Sequence, residues 1–154
     1  MNIVEKENIR LKVNAARWDK AIYEAGILLL NSGKIKEAYI YNMIESVTTY
    51  GPYMVIIPHV AIAHARPDEN VLEEGVSLIT LEKPVEFGNK DNDPVDLIFA
   101  LAAKSDNGHL SGIIRLSNFL ENTQYLNEVR NSRDVETVFH LVNQIAIAEE
   151  SKNA

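Results

Sequence analysis

The side chains able to do chemistry in this 154-residue chain are few: four histidines, no cysteine, and one arginine placed two residues after a histidine. Two of the histidines fall in a single apolar stretch, Gly51 to Pro67, GPYMVIIPHVAIAHARP, which ends in His64-Ala65-Arg66-Pro67. Imidazole is titratable and nucleophilic, and burying a polar group without a partner costs about 2–7 kcal/mol on transfer scales. A histidine closing a strand-like run therefore needs something that holds it or uses it. Side chains alternate faces along an extended segment, so His64 and Arg66 share a side, whereas His59 and His64, five apart, do not. Guanidinium beside imidazole suits an anion, because it offers phosphate or carboxylate a planar fork. On spacing alone, a strand-capping His64 beside a solvated Arg66 fits equally well. Metal binding by His59 and His64 together would need a bend between them, and no thiolate or HExxH helix supports it, so neither a metal nor a cofactor is expected.

His109 is the second candidate. It follows Ser105-Asp106-Asn107-Gly108, a run of helix N-cap residue types, and so falls in the first turn of a helix carrying Leu110, Ile113, Ile114 and Leu120. A helix start offers unpaired N–H groups and the positive end of the dipole, which favours an anion and a neutral imidazole. An exposed histidine without a role is the alternative there. His140, within VETVFHLVNQI, reads as an ordinary helix residue. Gly26 to Lys34, GILLLNSGK, is no P-loop, since the glycine spacing is wrong and Ile35 stands where Ser or Thr is required.

The elements that must position these side chains follow from periodicity. Trp18, Ala21, Ile22, Ala25, Leu28 and Leu29 form a helical stripe between Asn14, a candidate N-cap, and Gly33, a candidate stop. A second helix is predicted over Ile35 to Val47. Met54 to Ile57 and Val60 to Ala63 read as short strands broken at Pro58. Val76 to Leu81 and Val95 to Ala102 read as buried strands, with a weaker Val85 to Phe87 and the turn-rich GNKDNDP loop between them. Helical patterning returns from about Asn107, over Tyr125 to Arg130, and from Asp134 to about Ala148. The order predicts one α/β domain spanning 1–154, with an ordered core of about 10–148.

Composition narrows the function. The formal charge of −7 and the lack of a Lys/Arg cluster argue against nucleic acid as the ligand. Without cysteine there is no disulfide, thiolate zinc site or cysteine nucleophile. The N-terminus lacks a signal-peptide core, and no apolar run reaches the roughly 18 residues of a membrane span, so a cytoplasmic protein without direct membrane insertion is expected.

Three segments, YGPYMVIIPHVAIAHARPDE, VEFGNKDNDPVDLIFALAA and GHLSGIIRLSNFL, resemble in order and spacing the A component (EIIA) of a sugar phosphotransferase system, of the mannitol and fructose type and within it the L-ascorbate branch. The resemblance implies a mixed central β-sheet flanked by helices on both sides. It implies that a histidine accepts a phosphoryl group from the phosphocarrier protein HPr and passes it to a cysteine of the B component (EIIB), which feeds the membrane component EIIC. HVAIAH aligns so that His64 is the phosphorylated residue, carrying a tele-phosphohistidine, although Pro58-His59 mimics the Pro-His of the family. His109 maps onto the second active-site histidine, which stabilises the phosphoryl group. The upstream arginine of mannitol-type members has no counterpart between Asn31 and Ala65, and Arg66 is the proposed phosphate-binding substitute.

The mechanism expected is attack by one ring nitrogen of neutral His64 while a backbone acceptor holds the other, with His109, helix N-terminal amides and Arg66 around the phosphoryl oxygens. An apolar rim, assigned to Val60 and Ile62 or to loop residues, would receive HPr and then EIIB. The chain is expected to be a freestanding A component without B or C domains, and a homodimer is compatible with it. The competing functions are a regulatory phosphoacceptor uncoupled from sugar uptake and a metal-dependent hydrolase built on His64, His109 and Asp91 or Asp93.

Overall fold

In the computed structural model, the backbone of residues 2–153 and the side chains of residues 2–144 are described. Strands β1 (Ile9–Val13), β2 (Val55–Ile57), β3 (Val60–Ala63), β4 (Gly75–Val85) and β5 (Val95–Ala102) form one sheet in the order β1-β4-β5-β3-β2. β1 is parallel to β4 and β3 is parallel to β5, while the β4/β5 and β2/β3 pairs are antiparallel. The sheet is therefore mixed.

Alternation along the strands supplies two cores. Ala61 and Ala63 of β3 and Val95, Ile98 and Ala100 of β5 belong to a core built with helices α1 (Trp18–Asn31) and α2 (Glu37–Tyr50). Val60, Ile62, Leu97, Phe99 and Leu101 belong to a second core with α3 (Asp106–Leu120), α4 (Thr123–Asn131) and α5 (Val135–Asn153). Strands buried on both faces need apolar residues at nearly every position, which is why VAIA is a continuous apolar run and VDLIFALA is apolar everywhere but at half-buried Asp96, whose carboxylate accepts from Arg130 Nε at 2.9 Å. This is the α/β architecture expected from the sequence, a mixed sheet with helices on both sides.

Several boundaries differ from the periodicity reading. The chain stays in β1 through Val13, so α1 starts at Trp18 behind an extended Arg17 and not at Asn14. Ile35 is buried, but in an isolated bridge to Val71 ahead of α2, which begins at Glu37. The expected run Val76 to Leu81 and the first residue of the weaker run Val85 to Phe87 belong to one eleven-residue strand, β4, whose exposed Glu82, Lys83 and Pro84 interrupt the apolar pattern without ending it, while Glu86 and Phe87 lie beyond the strand. β3 and β5 have the expected bounds, and Gly33, at φ 77°, ends the first helical segment.

Candidate functional site

His64 is the first residue beyond β3, and His109 lies near the start of α3, which follows β5. β3 and β5 are parallel neighbours in the register Ala63 opposite Ala100, so their C-terminal ends finish side by side. The segment 103–105 then turns the chain into α3. Ala63 and Ala65 both sit in the core on the α1/α2 side, so His64 between them turns the other way, toward α3. The two imidazoles meet with ring centroids 4.9 Å apart at an interplanar angle of 70°. Gly112 lets α3 approach this closely, since a Cβ there would lie 2.8 Å from Leu101 Cδ1.

His64 Nδ1 lies 2.7 Å from the Ile62 carbonyl oxygen. A carbonyl only accepts, so Nδ1 carries the proton and Nε2 keeps the lone pair. Burial pushes the His64 pKa below the ordinary imidazole value; the Ile62 carbonyl opposes that shift and His109 reinforces it. Burial also lowers the pKa of His109, against the opposing charge of Asp106. Both rings are consequently neutral at pH 7, where a nucleophilic imidazole needs its lone pair.

A cleft of about 580 Å³ opens over the pair and is lined by His64, His109, Arg66, Tyr53 and Tyr50 together with residues of α2. Arg66 is exposed at this cleft, two residues from His64 as the spacing requires. Tyr53 stands edge-on to His64, with centroids 5.4 Å apart at 79°. Of the acidic residues at the cleft, Asp68 is occupied, accepting from Asn42 Nδ2 at 3.1 Å and from the Asn70 N–H at 2.8 Å.

The helix start is more fully used than the sequence reading assumed. Ser105 caps α3, its Oγ accepting from the Gly108 N–H at 3.0 Å, and the His109 N–H donates to the Ser105 carbonyl at 2.9 Å. Those two amides are spent on the helix itself. Of the residues considered for an apolar rim, Val60 and Ile62 are buried in the core, whereas Tyr50 and the loop residue Tyr53 are exposed at the cleft, and Leu110 and Ile114 are exposed on α3. Leu110 and Ile114 are four apart and so share one face of α3. Their spacing is visible in the sequence, but a helical pair of this kind reads equally as core.

His59 belongs to the opposite end of the strand. It occupies the β2/β3 turn at φ 72°, its Nδ1 lies 2.7 Å from the Pro94 carbonyl, and its N–H donates to Asn92 O at 2.8 Å. The four residues of β3 lie between it and His64, five steps along the chain and so up to about 16 Å at roughly 3.3 Å per residue. Asp93 is at that end too, its carboxylate accepting from the N–H groups of Phe87, Gly88 and Asn89 at 3.0, 2.8 and 3.0 Å. This overturns the grouping of His64 and His109 with Asp91 or Asp93. Among the described residues, no three His, Asp or Glu side chains gather to hold a metal ion. His140 is exposed on α5, 3.4 Å from Glu136.

The family described as the phosphoenolpyruvate-dependent sugar phosphotransferase system, EIIA 2, matches residues 2–145. The chain belongs to this EIIA family. It is 35% identical over 144 residues to the ascorbate-specific PTS system EIIA component of Escherichia coli K12, covering 93% of this chain and 94% of that protein. Its fold is similar to that of the mannitol-specific cryptic phosphotransferase enzyme IIA CmtB of Escherichia coli, with a TM-score of 0.83, 29% identity, and coverage of 94% and 99% of the two chains. It is also similar to the mannitol enzyme IIA of Escherichia coli solved in complex with its phosphorylated enzyme IIB, with a TM-score of 0.81, 25% identity, and coverage of 90% and 96%. Among the described residues of this EIIA chain, no helix is long and apolar enough to cross a membrane.

Proposed function

We propose that this EIIA chain is a cytoplasmic phosphocarrier that takes a phosphoryl group from phospho-HPr onto Nε2 of His64 and delivers it to a cysteine of an EIIB partner, in the service of L-ascorbate uptake through an EIIC membrane component. The observation that carries the reading is the 2.7 Å contact of His64 Nδ1 with the Ile62 carbonyl, beside a second neutral imidazole in an open cleft. The relative named ascorbate-specific supports the sugar, and the mannitol IIA–IIB complex supports the EIIB encounter.

In the first step the Nε2 lone pair forms the new N–P bond as the N–P bond of the donor phosphohistidine breaks, and the departing ring keeps its electron pair. In the second, a thiolate forms an S–P bond and the N–P bond to His64 breaks, restoring the lone pair. Such transfer rests on in-line positioning and on stabilising charge over the three equatorial oxygens. His109 donates to those oxygens and Arg66 supplies the positive charge. The Ile62 carbonyl stabilises the positive charge that develops on the His64 ring during attack by holding the Nδ1 proton. Tyr50, Tyr53, Leu110 and Ile114 form the apolar rim that meets both partners in turn.

Incubation with phosphoenolpyruvate, enzyme I and HPr tests this. Acid-labile phosphate should appear on the protein and be lost in His64→Ala. Labelling that survives in His64→Ala but disappears in His59→Ala would move the site to the other end of β3.

A further inference from the structure

Ala65 has left the sheet, since β3 ends at Ala63, yet it is only 6% exposed. Outside the strand, its backbone N–H and C=O both lie within reach of the same side chain. The Tyr39 hydroxyl accepts from the Ala65 N–H at 3.1 Å, lies 3.2 Å from the Ala65 carbonyl, and lies 2.8 Å from the carbonyl of Leu101 in β5. A phenol has one proton to donate, so it favours the shorter Leu101 contact while its lone pair serves the Ala65 N–H. Tyr39 itself is 1% exposed, in the first turn of α2, and is among the largest fully buried side chains. Burial pushes its phenol up to about 12, so the donor proton is retained across the range in which histidines titrate.

We infer that Tyr39 is a positioning residue for phosphoryl transfer: through one hydroxyl it ties the backbone that carries His64 to the strand that leads into the helix carrying His109. Leu101 is four residues before Ser105, the cap of that helix, and Ala65 is next to His64. The two histidine-bearing segments have no covalent link shorter than the forty-odd residues between them. The hydroxyl bridges them within two hydrogen bonds. Freed of it, residues 64–66 become an unpaired loop, and the Nδ1 contact to Ile62, which sets the His64 tautomer, loses its fixed frame. The inference rests on His64 as the phosphoryl carrier, but its structural half concerns the imidazole alone and is measurable without phosphate.

The test is Tyr39→Phe, which keeps the ring and removes the oxygen, compared with the wild-type chain by nitrogen NMR of the imidazoles and by transfer from phospho-HPr. The expected results are a smaller Nδ1–H fraction at His64, an altered His64 titration, and transfer slowed roughly 10- to 100-fold, the scale of a displacement of about 1 Å at a reacting group. Unchanged imidazole signals in a folded variant overturn the proposal, whether or not the rate falls, since a rate loss alone marks a structural role. If Tyr39→Phe does not fold, 3-fluorotyrosine and 3,5-difluorotyrosine placed at position 39 keep the hydroxyl and change its donor strength. The His64 nitrogen shifts should then move in step with fluorination, and shifts that stay fixed overturn the proposal. If the wild-type protein takes no phosphate on His64, the functional reading fails and the imidazole arm still stands as a separate result.

Discussion

Replacing His109 with alanine removes a ring whose centroid lies 4.9 Å from that of His64, while leaving the nucleophile and its Ile62 contact in place. Neutral His109 has one N–H to offer, and its target is the charge on the phosphoryl oxygens. A hydrogen bond to a charged group contributes about 1.5–3 kcal/mol, and about 1.36 kcal/mol is tenfold in rate, so the loss corresponds to roughly a 10- to 150-fold slower transfer. Stability should move little, because position 109 is only half-buried on a helix where alanine is the best helix former. Rapid-quench transfer from phospho-HPr reads the rate, and urea denaturation reads the stability. His109→Gln, which keeps an N–H donor, should recover part of the rate. The reasoning is refuted if His109→Ala transfers within about twofold of the wild type while remaining folded, or if glutamine recovers nothing and stability has fallen in both.

Three further outcomes follow from the same geometry. His64, with its folded pKa lowered chiefly by burial, should titrate below the ordinary imidazole value when followed by NMR; because the unfolded chain then takes the proton first, its share of stability is complete above about pH 6.5 and is lost as pH falls from there toward the folded value. His64→Gln should flatten that part of the stability profile, and a wild-type ring titrating at or above the ordinary value contradicts the burial argument. Asp93→Ala strips the acceptor from three backbone N–H groups and should cost about 1–3 kcal/mol in urea unfolding, with transfer per folded molecule unchanged because Asp93 lies at the far end of β3 and β5. Asn143→Leu removes the buried amide that accepts from the Ile3 and Val4 N–H groups and donates to Val4 O, so about 2–4 kcal/mol should be lost, with hydrogen-exchange protection disappearing at Ile3 and Val4 first.

The elements legible in the sequence are those whose residues have one job. β3 and β5 are buried on both faces, so their composition alone marks them. β1 was hidden because Arg10 and Lys12 alternate with Ile9, Leu11 and Val13, and an edge strand with charged alternate positions resembles a solvated arm. β4 is split in the sequence pattern by Glu82, Lys83 and Pro84, which are tolerated in the irregular stretch between its Thr80–Leu97 and Val85–Val95 pairs with β5. At the site, His64 stood out as an imidazole at a strand end and His109 as a histidine near a capped helix start. Their contact depends on the parallel register of β3 with β5, which no local pattern encodes, and the family resemblance supplied the pairing. Tyr39 was invisible for a different reason: a tyrosine on the apolar stripe of a helix reads as core, and only the three-dimensional path of its hydroxyl reveals the tie to Ala65 and Leu101.

The central claim is most directly tested by phosphorus and nitrogen NMR of the chain after phosphorylation by phospho-HPr, with the histidine nitrogens isotopically labelled. The account predicts one phosphohistidine, with the phosphorus bonded to Nε2 of His64, and its discharge on adding a cysteine-bearing EIIB partner. Phosphorus on His59, phosphorus on Nδ1 of His64, or a protein that accepts no phosphate at all would contradict it.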